Sequence, residues 1–429
     1  MTTRQADSEK PQHLRIAIVH AADVGRGAEQ CVMALHRGLR ALGHASTLYV
    51  GSRQSNEPGV VEIPYRRGLP GSRRLARALE RRLGWQDLYN PSFRNLIRLI
   101  PPETDLVHFN TLWGSGGYAD LGALPAISAR WPSLISLHET WLLSGHCACF
   151  HDCARWRQGC GACPDLTLTP AIPRDGTWFN WQRKRWLIAR SRLHLVTVSD
   201  WLTGIAQASP ILAGKPVTRI YNGIDLATFT PVTPPRRAEL RRALGIPEGA
   251  VTVLLAGQTV EGIREGIAAR HSISALNRLA PGLVVAVIVG PSARQVAEQL
   301  TAPAIVLPFQ TTTAAMAGCY QAVDLCLVTS EVETFGRIGA EAQACGTPVI
   351  AFATGGIPEV VRDGVGGWVV PVGDVAGLVT ALERLTTDAA QRARLAQGGR
   401  AYVASHFDQT TVAAQHVALY REILLRGRA

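Results

Sequence analysis

No apolar run in this chain reaches the roughly 18 residues that a membrane span needs. The polar start, MTTRQADSEKPQH, has no apolar h-region, so no signal peptide is expected and the default compartment is the cytoplasm. Thiols stay reduced there, which turns the nine cysteines away from a disulfide framework. No repeat of fixed period runs along the chain, which excludes solenoids and propellers. No helix-turn-helix, RNA-binding or zinc-finger pattern accompanies the net charge of +11, so nucleic acid is not an expected partner. Charged residues are only 18% of a composition that is 47% hydrophobic, which reads as globular.

What is present is unevenly spread. Residues 1–210 carry 25 Lys and Arg against 16 Asp and Glu, and residues 211–429 carry 19 against 17. Nine arginines lie between Arg66 and Arg98. That stretch reads either as a solvated helix or as a peripheral contact with an anionic membrane at its inner face. The aromatics of GTWFNWQRKRW alternate with basic residues, and a helix packing its tryptophans inward is the expectation there.

Short apolar runs alternate with helical patterns. LRIAIVH, STLYVG, DLVHFN, SLISLHE, HLVTVSD and VTRIYNG form a first set. After the connector TFTPVTPPRRAEL, the runs VTVLLAG, LVVAVIVG, AIVLPF, LCLVTS and PVIAFA form a second. Alternation of this kind predicts an α/β protein with two doubly wound, Rossmann-like parallel sheets. The expected boundaries are 12–222 for an N-terminal domain and 223–408 for a C-terminal domain. The amphipathic stretch 409–426 is expected to pack back on the first. Ligands of such sheets sit at the carboxyl ends of the strands, so the cleft between the domains is the expected site.

The most informative stretch is LCLVTSEVETFGRIGAEAQACGTPVIAFATGGIPEVV. A strand is expected to end near Ser330 and a helix to begin near Arg337. The helix N-terminus offers unpaired N–H groups and a positive dipole end to a phosphate. Glu333 lies in the loop and Glu341 about two turns into the helix. A carboxylate accepts from two adjacent hydroxyls. Two of them suit two vicinal diols, a sugar and a ribose, with a diphosphate between. A cap or local salt bridge for Glu341 and solvation for Glu333 are the plainer alternative. Gly355, Gly356 and Glu359 are expected to shape the next turn.

This stretch resembles the C-terminal domain of the retaining glycosyltransferases of family 4, which have the two-domain GT-B fold. VGRGAEQCVMALHRGLRALGH resembles the family's first glycine loop and helix, and YNGIDLATFTP its interdomain connector. DLVHFNTLWGSGGY and LHETWLLSGHC resemble a subgroup with a Cys-rich insertion, here 144–166, often found in polysaccharide assembly. The resemblance implies transfer of a sugar, with retention, from a nucleoside diphosphate donor to a carbohydrate, lipid-linked or natural-product acceptor. It implies that Glu333 holds the donor sugar hydroxyls, that N–H groups after Phe335, at Gly336 and Arg337, touch sugar or phosphate, and that Glu341 accepts from the ribose. His138 would face the donor sugar from the other domain, and Gly25 and Gly27 would admit the diphosphate. The family needs no catalytic metal. Its usual phosphate-binding Arg and Lys read here as Gln258 and Glu265, so either Arg264 or Arg337 replaces them, or the donor is atypical, or the activity is weak. A nucleotide-sugar epimerase and a non-catalytic scaffold are the rival readings.

Asn110, Trp113 and Tyr118 are candidates for the acceptor side, with loop or core packing as the alternative for the two aromatics. Five of the nine cysteines fall between Cys147 and Cys163. Cys147, Cys153, Cys160 and Cys163, the four positions that the subgroup shares, suggest a structural zinc site. Buried free thiols and disulfides are the alternatives. A catalytic zinc of the deaminase type is excluded, since His138 and Glu139 are adjacent and not spaced as His-x-Glu.

Overall fold

The computed structural model describes residues 13–25, 27–66, 71–113, 118–257 and 266–426. They divide into two compact units. The first takes the chain up to Thr197, Thr203–Ile220 and the chain from Thr410 onward, and the second takes Val198–Leu202 and Tyr221–Gln409.

The first unit is built on seven strands: β1 (Arg15–Ala22), β2 (Ala45–Ser52), β3 (Val60–Glu62), β4 (Leu106–Phe109), β5 (Ser133–Leu137), β6 (Leu193–Thr197) and β7 (Val217–Arg219). They pair in parallel in the order β3-β2-β1-β4-β5-β6-β7. The second sheet holds β8 (Thr252–Ala256), β9 (Val285–Val289), β10 (Ala304–Leu307), β11 (Leu325–Val328), β12 (Val349–Phe352) and β13 (Gly367–Val370). Its order, again all parallel, is β10-β9-β8-β11-β12-β13. Helices cover both faces of such sheets, which is why the central strands read as nearly continuous apolar runs. Two edge strands, β3 and β13, escape that reading because their residues are largely half-buried or exposed.

The helices that matter for the site are α1 (Ala28–Ala41), α2 (Ser72–Leu83), α3 (Thr177–Arg190), α4 (Thr313–Ala322), α5 (Arg337–Ala344), α6 (Val375–Thr387), α7 (Ala389–His406) and α8 (Gln409–Arg426). In the first unit Leu14, Ile16, Ile18, Leu106 and Leu134 share one core with Val32, Leu35 and Leu39 of α1 and with Val412, Val417 and Tyr420 of α8. Burying each such side chain stabilises by about 1.5–3 kcal/mol. In the second, Val253, Leu255, Ile288, Leu325, Leu327 and Phe352 pack against α6 through Leu378, Leu382 and Leu385.

The arginine-rich α2 buries only Ala76, with Leu75 and Tyr65 exposed and Arg73 set over the Tyr65 ring. In α3 the inward expectation for tryptophan fails for two of three. Trp181 is buried, but Trp178 and Trp186 are 59% and 55% exposed. The buried stripe of α3 is made instead by Thr177, Asn180, Trp181, Lys184, Leu187 and Ile188. Among the described residues no helix is long and apolar enough to cross a membrane.

Candidate functional site

In the second unit, β11 ends at Val328 and the loop behind it is tied down by polar side chains. Thr329 Oγ1 donates to Ala268 O at 2.7 Å, and His271 Nε2 meets Glu331 Oε1 at 3.0 Å. Glu333 is partly buried, and its Oε1 accepts from the Phe335 N–H at 3.4 Å. Burial raises its pKa, and the N–H groups of Phe335, Gly336 and Thr334 oppose that rise. The Glu333 backbone is locked to the next glycine turn. Gly356 N–H donates to Glu333 O at 2.9 Å, and a Cβ on Gly355 (φ +52°) would stand 1.7 Å from that oxygen. Here glycine is a steric requirement as well as a conformational one.

Helix α5 starts after Gly336, which lies in the left-handed region at φ +105°. Phe335 is 2% exposed and packs on Tyr221 and Phe407, so only its backbone is available to a ligand. Glu341 is 5% exposed. Its Oε1 accepts from Arg337 Nε at 2.5 Å and its Oε2 from Tyr320 OH at 3.1 Å. Glu359 bonds to a helix distant in sequence. Its carboxylate accepts from the N–H groups of Asp200 and Trp201 at 2.7 and 2.9 Å, holding the start of helix Asp200–Gln207. Gln258, Arg264 and Glu265 lie outside the described residues.

In the first unit, the C-terminal edge of the sheet gathers His138 and Asn110. His138 Nε2 and Asn110 Oδ1 are 3.1 Å apart, and Asn110 is 2% exposed. Trp113 is half-buried. Tyr118 is buried, with its hydroxyl donating to Thr111 O at 2.6 Å and its ring edge-on to Phe93, so its contacts are core contacts. Gly25 stands against Glu29, whose side chain a Cβ would meet at 2.4 Å, while Gly27 has open space around it. Both lie in the loop between β1 and α1.

The segment after His138 is anchored by a residue that its basic surroundings conceal. Lys184 is 2% exposed, and its Nζ donates to Trp141 O at 2.6 Å and Ser144 O at 3.0 Å. It also stands 3.6 Å from the centroid of the Trp141 ring. Burial pulls its pKa down to about 7, and burial pushes Glu139 up to about 7.

Cys147, Cys153, Cys160 and Cys163 border one cavity of about 20 Å³ with Phe150 and Trp156. All four are free thiols. Burial pushes Cys147 up to about 11 and Cys160 to about 12. Among the described residues no group of three or more His, Cys, Asp or Glu side chains is arranged to hold a metal ion. The zinc expectation finds no support among the described residues. Phe150 stacks on Trp156 at 5.0 Å, Trp181 Nε1 donates to Trp156 O at 2.8 Å, and Gly145 N–H donates to Cys160 Sγ at 3.2 Å.

Comparison with known proteins follows these two units. Residues 25–228 match the Glycosyltransferase Family 4 domain, and residues 237–402 match the Glycosyl transferases group 1 domain. A D-inositol 3-phosphate glycosyltransferase 1 of Catenulispora acidiphila is 33% identical over 343 residues, 76% of this chain and 74% of that protein. A D-inositol 3-phosphate glycosyltransferase of Thermobifida fusca is 32% identical over 226 residues, 49% of this chain. In that comparison the chain spans about half of the relative's length, 51%. Among solved structures, Anabaena HepE in complex with UDP and glucose aligns with a TM-score of 0.68 at 21% identity, covering 95% of this chain and 99% of the other. That likeness carries the fold, two Rossmann-like units of the GT-B type. By both domains and by the Catenulispora relative, the chain belongs to glycosyltransferase family 4.

Proposed function

We propose that the chain is a retaining glycosyltransferase that moves a sugar from a nucleoside diphosphate donor to a hydroxylated acceptor. The observation that carries this reading is the pair Glu333 and Glu341 on either side of the α5 N-terminus. Each carboxylate oxygen has two acceptor positions. Glu341 uses one on Arg337 and one on Tyr320, and the remainder suit the two ribose hydroxyls. The N–H groups that open α5 suit the phosphate nearest the sugar, where the leaving group gathers charge. Glu333 accepts from the sugar hydroxyls. His138, held by Asn110, offers its ring to a sugar hydroxyl. With no further carboxylate assigned as nucleophile, the departing phosphate takes the acceptor's proton and the anomeric configuration is kept.

The relatives named above suggest a polyol or sugar acceptor, and HepE's bound UDP and glucose make UDP-glucose the first donor to test. The exposed arginines of α2, with Leu75 and Tyr65 beside them, support a peripheral contact with anionic lipid. The deciding experiment measures nucleoside diphosphate release from a panel of nucleotide sugars, with calorimetry of the free diphosphates. Turnover with retained anomeric configuration in the product's proton NMR spectrum supports the reading. No turnover and no diphosphate binding overturns it.

A further inference from the structure

His20 is the least satisfied polar side chain on the sheet of the first unit. It is fully buried, and neither ring nitrogen has a hydrogen-bond partner among the described residues. The same sheet face supplies an internal control. Side chains alternate across a strand, so Ile16, Ile18 and His20 of β1 share a face with Leu106 and His108 of β4 and with Leu134 and Ser136 of β5. His108 is as buried as His20, yet both its nitrogens are bonded, Nε2 to Ser136 Oγ and Nδ1 to Tyr420 OH, each at 2.7 Å. Burial on this face therefore does not by itself deprive a histidine of partners.

A second unpartnered group lies next to it. In the register of β1 and β4, Val19 pairs with Phe109, and Asn110 N–H donates to Val19 O at 3.0 Å. His20 and Asn110 are thus cross-strand neighbours at the end of the ladder. Asn110 Nδ2 is buried and has no partner among the described residues, while Asn110 Oδ1 accepts from His138 Nε2–H. An unused donor and an unused acceptor stand on adjacent residues, and leaving buried polar groups unpaired is costly. Burial also keeps His20 neutral, with a pKa lowered to about 3, so its ring retains an acceptor nitrogen throughout the working pH range.

We infer that His20 is a positioning residue for His138, acting through Asn110. A rotation of the Asn110 amide lets Nδ2–H donate to the free ring nitrogen of His20, with or without a ligand on His138. Asn110 Oδ1 is then fixed against His138 Nε2–H, and the ring is held in one tautomer and one orientation. The inference rests on the proposed role of His138 in sugar transfer.

Two variants of the full chain test it. His20→Phe keeps the bulk and removes the acceptor, and His20→Gln returns an acceptor oxygen. Loss of one positioning hydrogen bond should lower kcat/KM for sugar transfer about tenfold in His20→Phe. Its Tm should hold or rise, because two unpaired nitrogens are gone, and His20→Gln should recover most of the activity. Comparing donor affinity by calorimetry with acceptor KM identifies whose hydroxyl is involved. Histidine-selective 15N NMR gives a readout that needs no turnover: the His138 ring signals should shift in His20→Phe and return in His20→Gln. Unchanged His138 signals in both variants overturn the inference, as does a fall in Tm that tracks the lost activity without rescue by glutamine. If the wild-type chain turns over no donor, the glycosyltransferase reading fails, and the His138 signals still decide whether His20 positions that ring.

Discussion

Arg337 and Glu341 stand one turn apart on α5, and Arg337 Nε donates to Glu341 Oε1 at 2.5 Å. Both groups are largely buried. Arg337 is one of the two candidates to replace the missing phosphate-binding arginine, but its Nε is committed to the carboxylate. Tyr320 OH holds the other oxygen, so Glu341 is fixed from two directions before any ligand arrives. Such preorganisation lowers the ordering cost of binding.

Replacing Glu341 by alanine removes the acceptor for both protein donors and for the proposed ribose. Nucleoside diphosphate affinity should fall at least tenfold, about 1.5–3 kcal/mol for hydrogen bonds to a charged group. Stability should fall by about 1–3 kcal/mol, since the Tyr320 hydroxyl and the Arg337 guanidinium lose their partner in a buried site. Glu341→Gln should show a smaller loss of affinity, because one acceptor oxygen remains. Calorimetry with UDP and urea denaturation read the two effects separately.

Gly355 and Gly364 both have positive φ, at +52° and +71°, but only Gly355 is crowded. An alanine at 364 has open space, so only the left-handed backbone is penalised, by about 1–2 kcal/mol. At 355 the new Cβ would meet Glu333 O at 1.7 Å, and the Glu333 backbone must move. Gly355→Ala should cost more than Gly364→Ala in urea denaturation. It should also abolish turnover of the donor, while Gly364→Ala retains it.

Much of this was legible in the sequence. The central strands announced themselves as apolar runs, and the Glu333–Glu341 spacing marked one strand edge of the second sheet. The i, i+4 spacing of Arg337 and Glu341 was also in plain view, though the contact depends on burial of the helix face. Tyr320 was not legible, because only the packing of α4 beside α5 brings a residue 21 positions upstream onto the carboxylate. The tryptophans of α3 misled for a related reason. With so many aromatic and basic residues in one helix, periodicity alone does not choose the buried face, and the choice falls to Lys184 and Trp181.

Acid should destabilise the first unit through its buried neutral histidines. His416 is 6% exposed, and burial lowers its pKa from the usual 6.5 to about 4. Below pH 6.5 the unfolded chain takes up a proton that the folded chain refuses, so stability falls as pH drops from about 6.5 to about 4. The span corresponds to about 3 kcal/mol for this one group. Asp87 and Glu139, both raised to about 7 by burial, work in the opposite direction. The difference between wild type and His416→Gln isolates the histidine. Urea denaturation at several pH values should show the advantage of the histidine over glutamine shrinking as pH falls through that window, and a constant difference would refute the assignment.

Lys184 makes the strongest case that the segment after His138 is held from beneath. Its Nζ joins two carbonyls, Trp141 O in the first residue of the 3-10 turn Trp141–Leu143 and Ser144 O just after it. The same group lies against the Trp141 ring and near Glu139. Lys184→Met preserves the length and apolar stem but leaves both carbonyls without their donor and Glu139 without its neighbouring cation. Breaking a buried charge arrangement from one side costs about 3–5 kcal/mol, far more than the loss of an exposed lysine. Lys184→Arg should not rescue it, because a planar fork is larger than the ammonium and does not fit the same two carbonyls. The expected result is a loss of that size in urea denaturation for both variants, with faster proteolysis within residues 144–166. A loss below about 1 kcal/mol would mean that the aromatic packing of Phe150, Trp156 and Trp181 holds the segment without the lysine.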